Sequence, residues 1–509
     1  MPGLRYGLPF PLLNPDEASI VPRAWEMASR GGLDPGFYDY PSLLFDLLAL
    51  AQLPFEQPSY GVARALAAAI GIVGVGAAWW LGRAAYGATA GLVAGAACAV
   101  ATTHVLYSQM AVTDVLLTTV MTVSLALLAG GRVEWAGAVA GLAVSAKYPG
   151  VFLAVPLVLV SWGQWKRLLH GALLACLAFG LTSPFVLLNA GSAWTDIART
   201  QRLARAGWLG FEDDPATPLA FLDRLWESLG PFLLIAAFGL ALAVGSIVLR
   251  RHKLLTRPAD LALASLALVY FAQLLTLDAH FDRYVLPLVP VLGALAGRTR
   301  VLAPAALALL VVPLVWSVGE VRQLTRVDTR LVAHAWIERN VTEDALVAAE
   351  SSTPPVRPRP ALTLELPGPG RPTDPNRDLE TLRAQGVEYV LVTGNVADRV
   401  LAASNRYPDE AGFYADLESA SRRVLRVDPR GGRAGPWVAL YRLRGEAMVS
   451  LDVSTPDGGQ RSGRKIFDVA EAVVESHLLR ASLGLAEERA RGLVPVRGDG
   501  LERRGRLDE

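Results

Sequence analysis

The chain has few cysteines and few lysines, and both shortages limit what it can be. Its two cysteines, Cys98 and Cys176, each lie inside an apolar run, which argues against a disulfide framework and leaves no cysteine-based metal motif. Of the 48 lysine and arginine residues only four are lysines. A lysine in an unusual place is therefore more informative here than in most proteins.

Charge is scarce as well. Charged residues make up 19% of the 509 positions and hydrophobic residues 52%, with a mean hydropathy of +0.35, which is typical of a polytopic membrane protein. The net charge of +1 gives no sign of nucleic acid as a partner. Charges are sparse up to about residue 320 and dense after it. This change predicts a membrane domain (1–322), an α/β soluble domain (323–445) and a polar tail (446–509), partly helical or disordered.

Apolar segments follow one another through the first part of the chain, with no visible signal peptide before them. The run from Ser42 to Leu53 is too short to cross about 30 Å of hydrocarbon as a helix. We therefore expect residues 15–53 to form an outer loop with helices at the membrane interface. About ten spanning helices are expected, at residues 61–81, 87–106, 111–130, 134–147, 150–163, 167–189, 229–250, 259–277, 284–297 and 300–318.

The basic residues of the short loops predict the orientation of these helices. One set of loop ends carries most of them: Arg83, Arg132, Lys166, Arg167, Arg250, Arg251, Lys253, Arg257, Arg298 and Arg300. The opposite set has only Lys147 and Arg283 in its short loops, so the first set is predicted to be cytoplasmic. Asp16, Asp114 and His280 then share the outer side with those two cations.

Asp16 and Glu17 are the only adjacent carboxylates in the first hundred residues. One interpretation is a helix start, with Asn14 as the N-cap, Pro15 in the first position and the two acids at the positive end of the helix dipole. Such a helix would run from Pro15 to Arg30. The other interpretation makes a carboxylate here the base of a transfer reaction, and the local sequence leaves both open.

Asp114 and Lys147 are ionisable residues at the outer ends of apolar segments. Such residues are costly at membrane depth and often mark a site or a pathway. The alternative for Asp114 is an interfacial helix start, and the alternative for Lys147 is a lysine whose ammonium reaches the interface. A lysine is nevertheless rare in this chain, and it lies on the side where positive charge is disfavoured, where it would suit a phosphate.

Asp278 to Tyr284 forms a third polar cluster on the predicted outer side. Arg283 has the geometry to hold a phosphate through two hydrogen bonds, with His280 as a further donor. The alternative is a local ion pair of Arg283 with Asp278 or Asp282. Two acidic and two basic positions thus converge on one face, as transfer from a phosphate leaving group to a hydroxyl requires. An outer-face site without a nucleotide motif points to a donor carried on a lipid.

Over roughly residues 4 to 345 the chain resembles bacterial GT-C glycosyltransferases of the protein-mannosyltransferase and aminoarabinose-transferase type, which use polyprenyl-phosphate sugars. No single motif is specific; the order and spacing of several carry the resemblance. They are Asn14-Pro15-Asp16-Glu17, Tyr38-Asp39-Tyr40-Pro41, Arg64-Ala65-Leu66, the stretch from His104 to Asp114, Gly141 to Tyr148, and Arg283-Tyr284-Val285-Leu286-Pro287.

The resemblance implies an inverting transfer in the cytoplasmic membrane of a bacterium. Asp16 would take the acceptor proton with Glu17 beside it, and Asp114 would position the acceptor or the base. Lys147 and Arg283 would hold the lipid phosphate as it leaves. Tyr38 and Tyr40 would line the sugar pocket or serve core packing. The acceptor, whether glycan, lipid or protein, is not specified.

The family has a transmembrane helix ahead of the Asp-Glu loop, and here Met1 begins where that helix would end, so we expect an in-frame start upstream. A divalent cation stays open, since Asp16, Glu17 and Asp114 are hard oxygen donors but nothing demands a metal. Two other functions are kept as alternatives. One is a transporter or flippase of lipid-linked sugars, and the other is a non-catalytic membrane anchor for the C-terminal domain.

The C-terminal domain shows a pattern of alternating helices and strands. Asp328 is expected to cap a helix that ends at Asn340, and the Pro-rich residues 353–376 to form an irregular loop. A further helix is expected near 378–385, and strands at 345–350, 386–392 and 438–443.

Overall fold

A computed structural model describes residues 2–249 and 257–443; the predicted tail, 446–509, lies outside these residues. We call helices α1 to α17 the membrane part. They are α1 Pro15–Arg30, α2 Leu43–Gln52, α3 Tyr60–Tyr86, α4 Ala88–Val100, α5 Thr102–Tyr107, α6 Thr113–Ala129, α7 Val133–Ala146, α8 Ala154–Val160, α9 Trp165–Thr182, α10 Pro184–Leu188, α11 Ala190–Ala206, α12 Thr217–Leu229, α13 Phe232–Leu249, α14 Pro258–Leu274, α15 Leu288–Ala296, α16 Ala303–Leu309 and α17 Val311–Gln323. Short 3-10 helices lie at Pro2–Arg5, Tyr148–Leu153, Asp282–Val285 and Arg300–Leu302.

Helix α1 has the predicted bounds and the predicted cap. The side-chain oxygen of Asn14 accepts a hydrogen bond from the backbone N of Asp16 at 2.9 Å, and Gly31 ends the helix with a φ of 68°. One face of α1 is buried together with the apolar face of α2, the helix expected at the membrane interface. The buried residues of these two faces are Ile20, Val21, Ala24, Met27, Leu44, Phe45 and Leu48. The helix-start interpretation is confirmed, and the cap fixes the directions in which Asp16 and Glu17 leave the helix.

Among residues 2–249 and 257–443, three helices are long and apolar enough to cross a membrane: Tyr60–Tyr86, Phe232–Leu249 and the continuous run Arg300–Gln323. Shorter apolar helices, of 10 to 17 residues, occupy most of the other predicted segments. Interruptions between α4 and α5 and between α9 and α10 divide two of those segments. The expected number of ten spans therefore stays a prediction.

Helices α7 and α9 pack closely because a glycine, which has no side chain, lies at their contact. A Cβ atom added at Gly141 would lie 2.1 Å from the carbonyl oxygen of Ala175, far inside contact distance. Small residues allow backbones to approach in this way, which strengthens packing between apolar helices. The contact fixes the end of α7 that leads into Lys147.

The C-terminal part of the described chain is an α/β unit. Its helices are α18 Thr329–Asn340, α19 Leu379–Ala384, α20 Gly394–Ala402 and α21 Pro408–Ala420. Its strands are β1 Val327–Asp328, β2 Val347–Glu350, β3 Ala361–Leu364, β4 Tyr389–Thr393, β5 Ser421–Val427, β6 Arg433–Ala434 and β7 Val438–Leu443. The five-stranded sheet has the order β3-β2-β4-β7-β5, in which β2 pairs in parallel with β3 and β4, and β7 is antiparallel to β4 and β5.

Helix α18 with its Asp328 cap, helix α19, and strands β2, β4 and β7 were all expected, with shifts of up to three residues at their ends. Strand β3 falls inside the stretch expected to be an irregular loop. It forms because its backbone pairs with β2, a long-range partner that local sequence does not reveal.

Candidate active site

Asp16 and Arg283 meet at the end of the membrane part where α1 begins. Asp16 is in the first turn of α1, and Arg283 is in the 3-10 helix between α14 and α15. An Nη1–H of Arg283 donates to Oδ2 of Asp16, and the hydroxyl of Tyr40 donates to the same oxygen at 3.1 Å. Both ions are largely buried, since only 24% of the Asp16 side chain and 13% of the Arg283 side chain are exposed.

Asp114 and Lys147 form a second ion pair. Asp114 is in the first turn of α6, Lys147 directly follows α7, and Nζ lies 2.6 Å from Oδ1. The two side chains are 5% and 12% exposed. The charges of Asp114 and Lys147, which the sequence predicts at membrane depth, therefore balance each other, as burial requires.

Two tyrosine rings connect the ion pairs. Nζ of Lys147 lies 5.6 Å from the ring centroid of Tyr40 and 5.6 Å from that of Tyr284. Tyr40 thus contacts Asp16 through its hydroxyl and Lys147 through its ring. We call the four ions Asp16, Arg283, Asp114 and Lys147 the paired-charge cluster, in which two carboxylates balance two cations.

Asp16 is ionised at neutral pH. Burial alone would raise the pKa of its carboxyl group, but the charge and hydrogen bond of Arg283, the charge of Lys147 and the hydroxyl of Tyr40 together lower it further than burial raises it. The pKa of Asp16 therefore lies below its ordinary value of 3.8. Burial and the charge of Asp16 raise the pKa of Tyr40 well above 10.0, so Tyr40 stays a donor to the carboxylate.

Three ions of the paired-charge cluster, Asp114, Lys147 and Arg283, line a cavity of about 100 Å³. Asp16 is not a lining residue and adjoins the cavity through its hydrogen bonds with Arg283 and Tyr40, which both line it. Loops and helices α11 and α14 supply the rest of its wall, including the polar residues Asp39, Tyr40, Thr200, Gln201, Gln273 and Tyr284. The cavity therefore combines charges, hydrogen-bonding groups and an apolar wall, as binding sites for small molecules do.

Arg283 keeps one donor unused. Its Nε is buried and has no hydrogen-bond partner within the part of the chain that the structure describes. The backbone beside it is fixed, because Oδ1 of Asp282 accepts from the backbone N of Arg283 at 2.9 Å and from the hydroxyl of Tyr107 at 2.6 Å. A buried N–H without a partner is uncommon in folded proteins, and a phosphate oxygen is a suitable acceptor for it.

Glu17 does not reach the cavity. It is fully buried and accepts hydrogen bonds from Arg64 at 2.9 and 2.7 Å and from the backbone N of Ala111 at 3.0 Å. Arg64 also donates to the carbonyl of Tyr6 at 2.6 Å. The Glu17–Arg64 pair therefore links the start of α1 to α3, to the N-terminal segment that contains Tyr6, and to the turn before α6.

Tyr38 and His280 also lie away from the cavity. The hydroxyl of Tyr38 donates to Asp34 at 2.9 Å and accepts from Asn189 at 2.6 Å. His280 lies 3.0 Å from Oδ2 of Asp214 and 3.3 Å from the hydroxyl of Thr217. Of the predicted site residues, the structure thus brings together the four ions and Tyr40, and leaves Glu17, Tyr38 and His280 outside.

Several polar lining residues, among them Asp39 and Gln273, are not among the site residues that the sequence predicts. Gln273 is a polar side chain near the end of an apolar segment, which is the same signal that marks Asp114. Asp39 lies between the two tyrosines of the quoted motif, where Arg199 donates to it at 2.7 Å and Thr200 at 2.9 Å. A systematic search for polar residues at the ends of apolar helices would have found Gln273.

A divalent cation finds no prepared ligand set in residues 2–249 and 257–443, where no group of three or more His, Cys, Asp or Glu side chains is placed to hold a metal. Asp16 and Asp114 each bind a cationic side chain instead. The part of the site that the structure describes is therefore organised around ion pairs.

No family model matches this chain, and no curated protein sequence does. Solved structures do match. ArnT from Cupriavidus metallidurans in the apo state aligns with a TM-score of 0.55 at 16% identity, covering 84% of this chain and 93% of that chain. The same protein bound to undecaprenyl phosphate aligns with a TM-score of 0.53 at 15% identity, covering 86% and 94%. The oligosaccharyltransferase from Archaeoglobus fulgidus, tethered with an acceptor peptide, aligns with a TM-score of 0.53 at 13% identity, covering 82% and 69%.

The chain has the GT-C fold. Both solved proteins are GT-C glycosyltransferases, so the resemblance stated from the sequence is confirmed at the level of the fold. Within that fold, the paired-charge cluster lies where α1, α6, α7 and the segment before α15 meet. Identities this low establish the fold and leave the chemistry to be argued from the site.

Proposed function

We propose that this protein is a membrane glycosyltransferase that moves a sugar from a polyprenyl-phosphate donor to an acceptor, with inversion and with Asp16 as the base. The observation that carries the proposal is the paired-charge cluster beside one cavity. It offers two cations for a phosphate and a carboxylate for a proton, on a fold whose solved examples include a protein bound to undecaprenyl phosphate.

Lys147 and Arg283 hold the phosphate in this proposal. Both line the cavity, and Arg283 has a buried Nε–H without a partner among the described residues. A phosphate that enters competes with Asp16 and Asp114 for the two cations. Charge-assisted hydrogen bonds from both would stabilise the negative charge that develops on the leaving phosphate.

Asp16 accepts the proton of the acceptor hydroxyl or amine. The acceptor oxygen or nitrogen attacks the anomeric carbon on the face opposite the phosphate, a new glycosidic bond forms, and the bond between that carbon and the phosphate oxygen breaks. Polyprenyl phosphate leaves with the electron pair of that bond. When the phosphate draws Arg283 away, Asp16 loses the charge that lowers its pKa, so it becomes a stronger base once the donor is bound.

The remaining predicted residues take different parts. Asp114 keeps Lys147 charged and directed at the cavity, and it positions the acceptor. Glu17 holds α1 in place through Arg64, which favours a structural role over a chemical one. Tyr40 lines the cavity, whereas Tyr38 and His280 support the loops behind it.

The membrane placement belongs to the same proposal. Three apolar helices and the distribution of lysine and arginine favour the cytoplasmic membrane of a bacterium, with the cavity and the α/β unit on the outer side. The acceptor would be a glycan, a lipid or a protein.

Binding of undecaprenyl phosphate to the purified full-length protein tests the phosphate half of the proposal. We expect saturable binding that weakens by at least about tenfold in Arg283→Gln, where a charged hydrogen-bond donor is lost. Lys166→Gln is the matched control, because Lys166 lies at the start of α9 and does not line the cavity. Equal affinity in parent and Arg283→Gln would contradict the assignment.

A further inference from the structure

The loop between α11 and α12 carries one residue, Leu209, that belongs to the core of the α/β unit. Leu209 is 1% exposed and is part of a cluster with Leu364, Leu382, Val390 and Val396. A loop of the membrane part thus completes a hydrophobic core that is otherwise built from strands and helices near the other end of the chain. Burial of a leucine side chain stabilises a fold, so the loop is firmly held at this position.

Polar and aromatic contacts hold the same loop on both sides of Leu209. The hydroxyl of Tyr407 donates to Glu212 at 2.7 Å, and the guanidinium of Arg371 lies 4.5 Å from the ring centroid of Trp208. Gly210 has a φ of 97°, and a Cβ atom there would lie 2.8 Å from Cδ of Arg399. The positive φ favours glycine at position 210, and Arg399 packs directly against it.

The loop occupies the side of the sheet where parallel strands end. Gly368 follows β3, and a Cβ atom added there would lie 3.5 Å from the backbone N of Leu209; Arg399 is in α20, which follows β4. In open α/β sheets, ligands usually bind outside the carboxyl ends of the strands. Here a segment of the same chain lies at that edge.

From this loop, contacts lead to the paired-charge cluster through Phe281. The ring centroid of Phe281 lies 5.6 Å from that of Trp208 and 5.0 Å from that of Phe211. The guanidinium of Arg283 lies 5.0 Å from the Phe281 ring centroid. Trp208 and Phe211, which are close to Leu209 in the sequence, therefore pack against the same aromatic ring that the Arg283 guanidinium contacts.

We infer that Leu209 is a positioning residue for Arg283, through which the α/β unit sets the geometry of the phosphate-binding cations. The inference rests on the proposed function, and it gives the α/β unit a part in the reaction. Pulling Leu209 out of its core frees Trp208 and Phe211, and Phe281 then no longer fixes the guanidinium against the cavity. Small displacements of a charged group have large effects on binding and transfer.

The test compares three full-length variants for affinity towards undecaprenyl phosphate, with the melting temperature measured alongside. Leu209→Ala is expected to weaken binding by at least about tenfold. Leu382→Ala removes the same atoms from the same core in α19, and it is expected to lower the melting temperature similarly while leaving affinity within about twofold. Tyr407→Phe, a milder change, loosens the loop at Glu212 and is expected to weaken binding less than Leu209→Ala.

A double-mutant cycle separates positioning from general destabilisation. In an Arg283→Gln background, Leu209→Ala should have no further effect on affinity, because it acts through the residue already removed. Parent-like binding by Leu209→Ala, or an equal loss in Leu382→Ala, would overturn the inference and leave the proposed function standing. Absence of saturable binding by the parent would overturn the proposed function, and the inference with it.

Discussion

Asp16 and Arg283 are 267 positions apart in the sequence and form an ion pair beside the cavity. Asp114 and Lys147 repeat the arrangement on the same cavity. In each pair the carboxylate balances a cation in a largely buried place. In the proposed function, a phosphate competes with the carboxylate for that cation. The arrangement explains how positive charge is retained at membrane depth, where an isolated cation would be costly.

Removing Lys147 should reduce stability as well as activity. Lys147→Met leaves Asp114 as a buried carboxylate without its partner, which costs about 3–5 kcal/mol. The double variant Lys147→Met with Asp114→Asn removes both charges and should recover most of the melting temperature. Neither variant should transfer sugar, because the phosphate loses a cation in both. A double variant that is as active as the parent would contradict the role of Lys147.

The pH dependence should show Asp16 ionised throughout the neutral range. Its pKa is lowered in the folded protein, so the ion pair stabilises the fold above the unfolded value of about 3.9, and that stability is lost as the pH falls through the still lower folded value. The kcat/KM for the donor, which reports the free enzyme, should therefore show no acidic limb from Asp16 between pH 5 and pH 8. A limb in that window that disappears in Asp16→Glu would contradict the lowered pKa.

Glu17 should matter for stability and little for chemistry. Glu17→Gln leaves Arg64 as a buried cation with a weakened partner, which is expected to cost about 3–5 kcal/mol. Activity per correctly folded molecule, counted by saturating undecaprenyl phosphate binding, should stay within about threefold of the parent, a change of about 0.7 kcal/mol. The opposite pattern, an unchanged melting temperature with lost transfer, would make Glu17 part of the reaction.

The contact between α7 and α9 should be sensitive to a single methyl group. Gly141→Ala places a Cβ atom 2.1 Å from the carbonyl oxygen of Ala175, so the helices must separate. Overpacking of this kind costs about 1–3 kcal/mol, and it displaces Lys147 at the end of α7. Gly76→Ala in α3 is the control, because no atom lies within 4 Å of the added Cβ. A thermal melt and a transfer assay on both variants check this, and equal behaviour of the two would count against it.

The sequence predicts well those features that depend on local chemistry. The Asn14 cap and the bounds of α1 follow from turn and capping preferences, and Asp114 and Lys147 stand out because ions are rare at membrane depth. Local sequence could not decide between Asp16 and Glu17. Adjacent residues on a helix point about 100° apart, and the positions of Arg64 and Arg283 decide which cation each carboxylate meets.

Similar limits apply to the other residues that the structure separates. Tyr38 and Tyr40 lie two residues apart in one loop, and only Tyr40 lines the cavity, because tertiary contacts with Asn189 and Lys147 place the two side chains differently. His280 lies beside Asp214, a residue in the loop between α11 and α12, whose path the sequence does not reveal. The insertion of Leu209, from the same loop, into a distant hydrophobic core has no local signal in the sequence.

Transfer of labelled sugar from polyprenyl-phosphate donors by the full-length protein in proteoliposomes tests the central claim most directly. The parent should form a covalent product, and Asp16→Asn should lose at least about 10²-fold in rate while still binding undecaprenyl phosphate. Asp46→Asn, a carboxylate on α2 outside the cavity lining, should transfer as the parent does. Equal transfer by the parent and Asp16→Asn would show that Asp16 is a helix-start residue only. Movement of lipid-linked sugar across the membrane without any covalent product would establish a transporter instead.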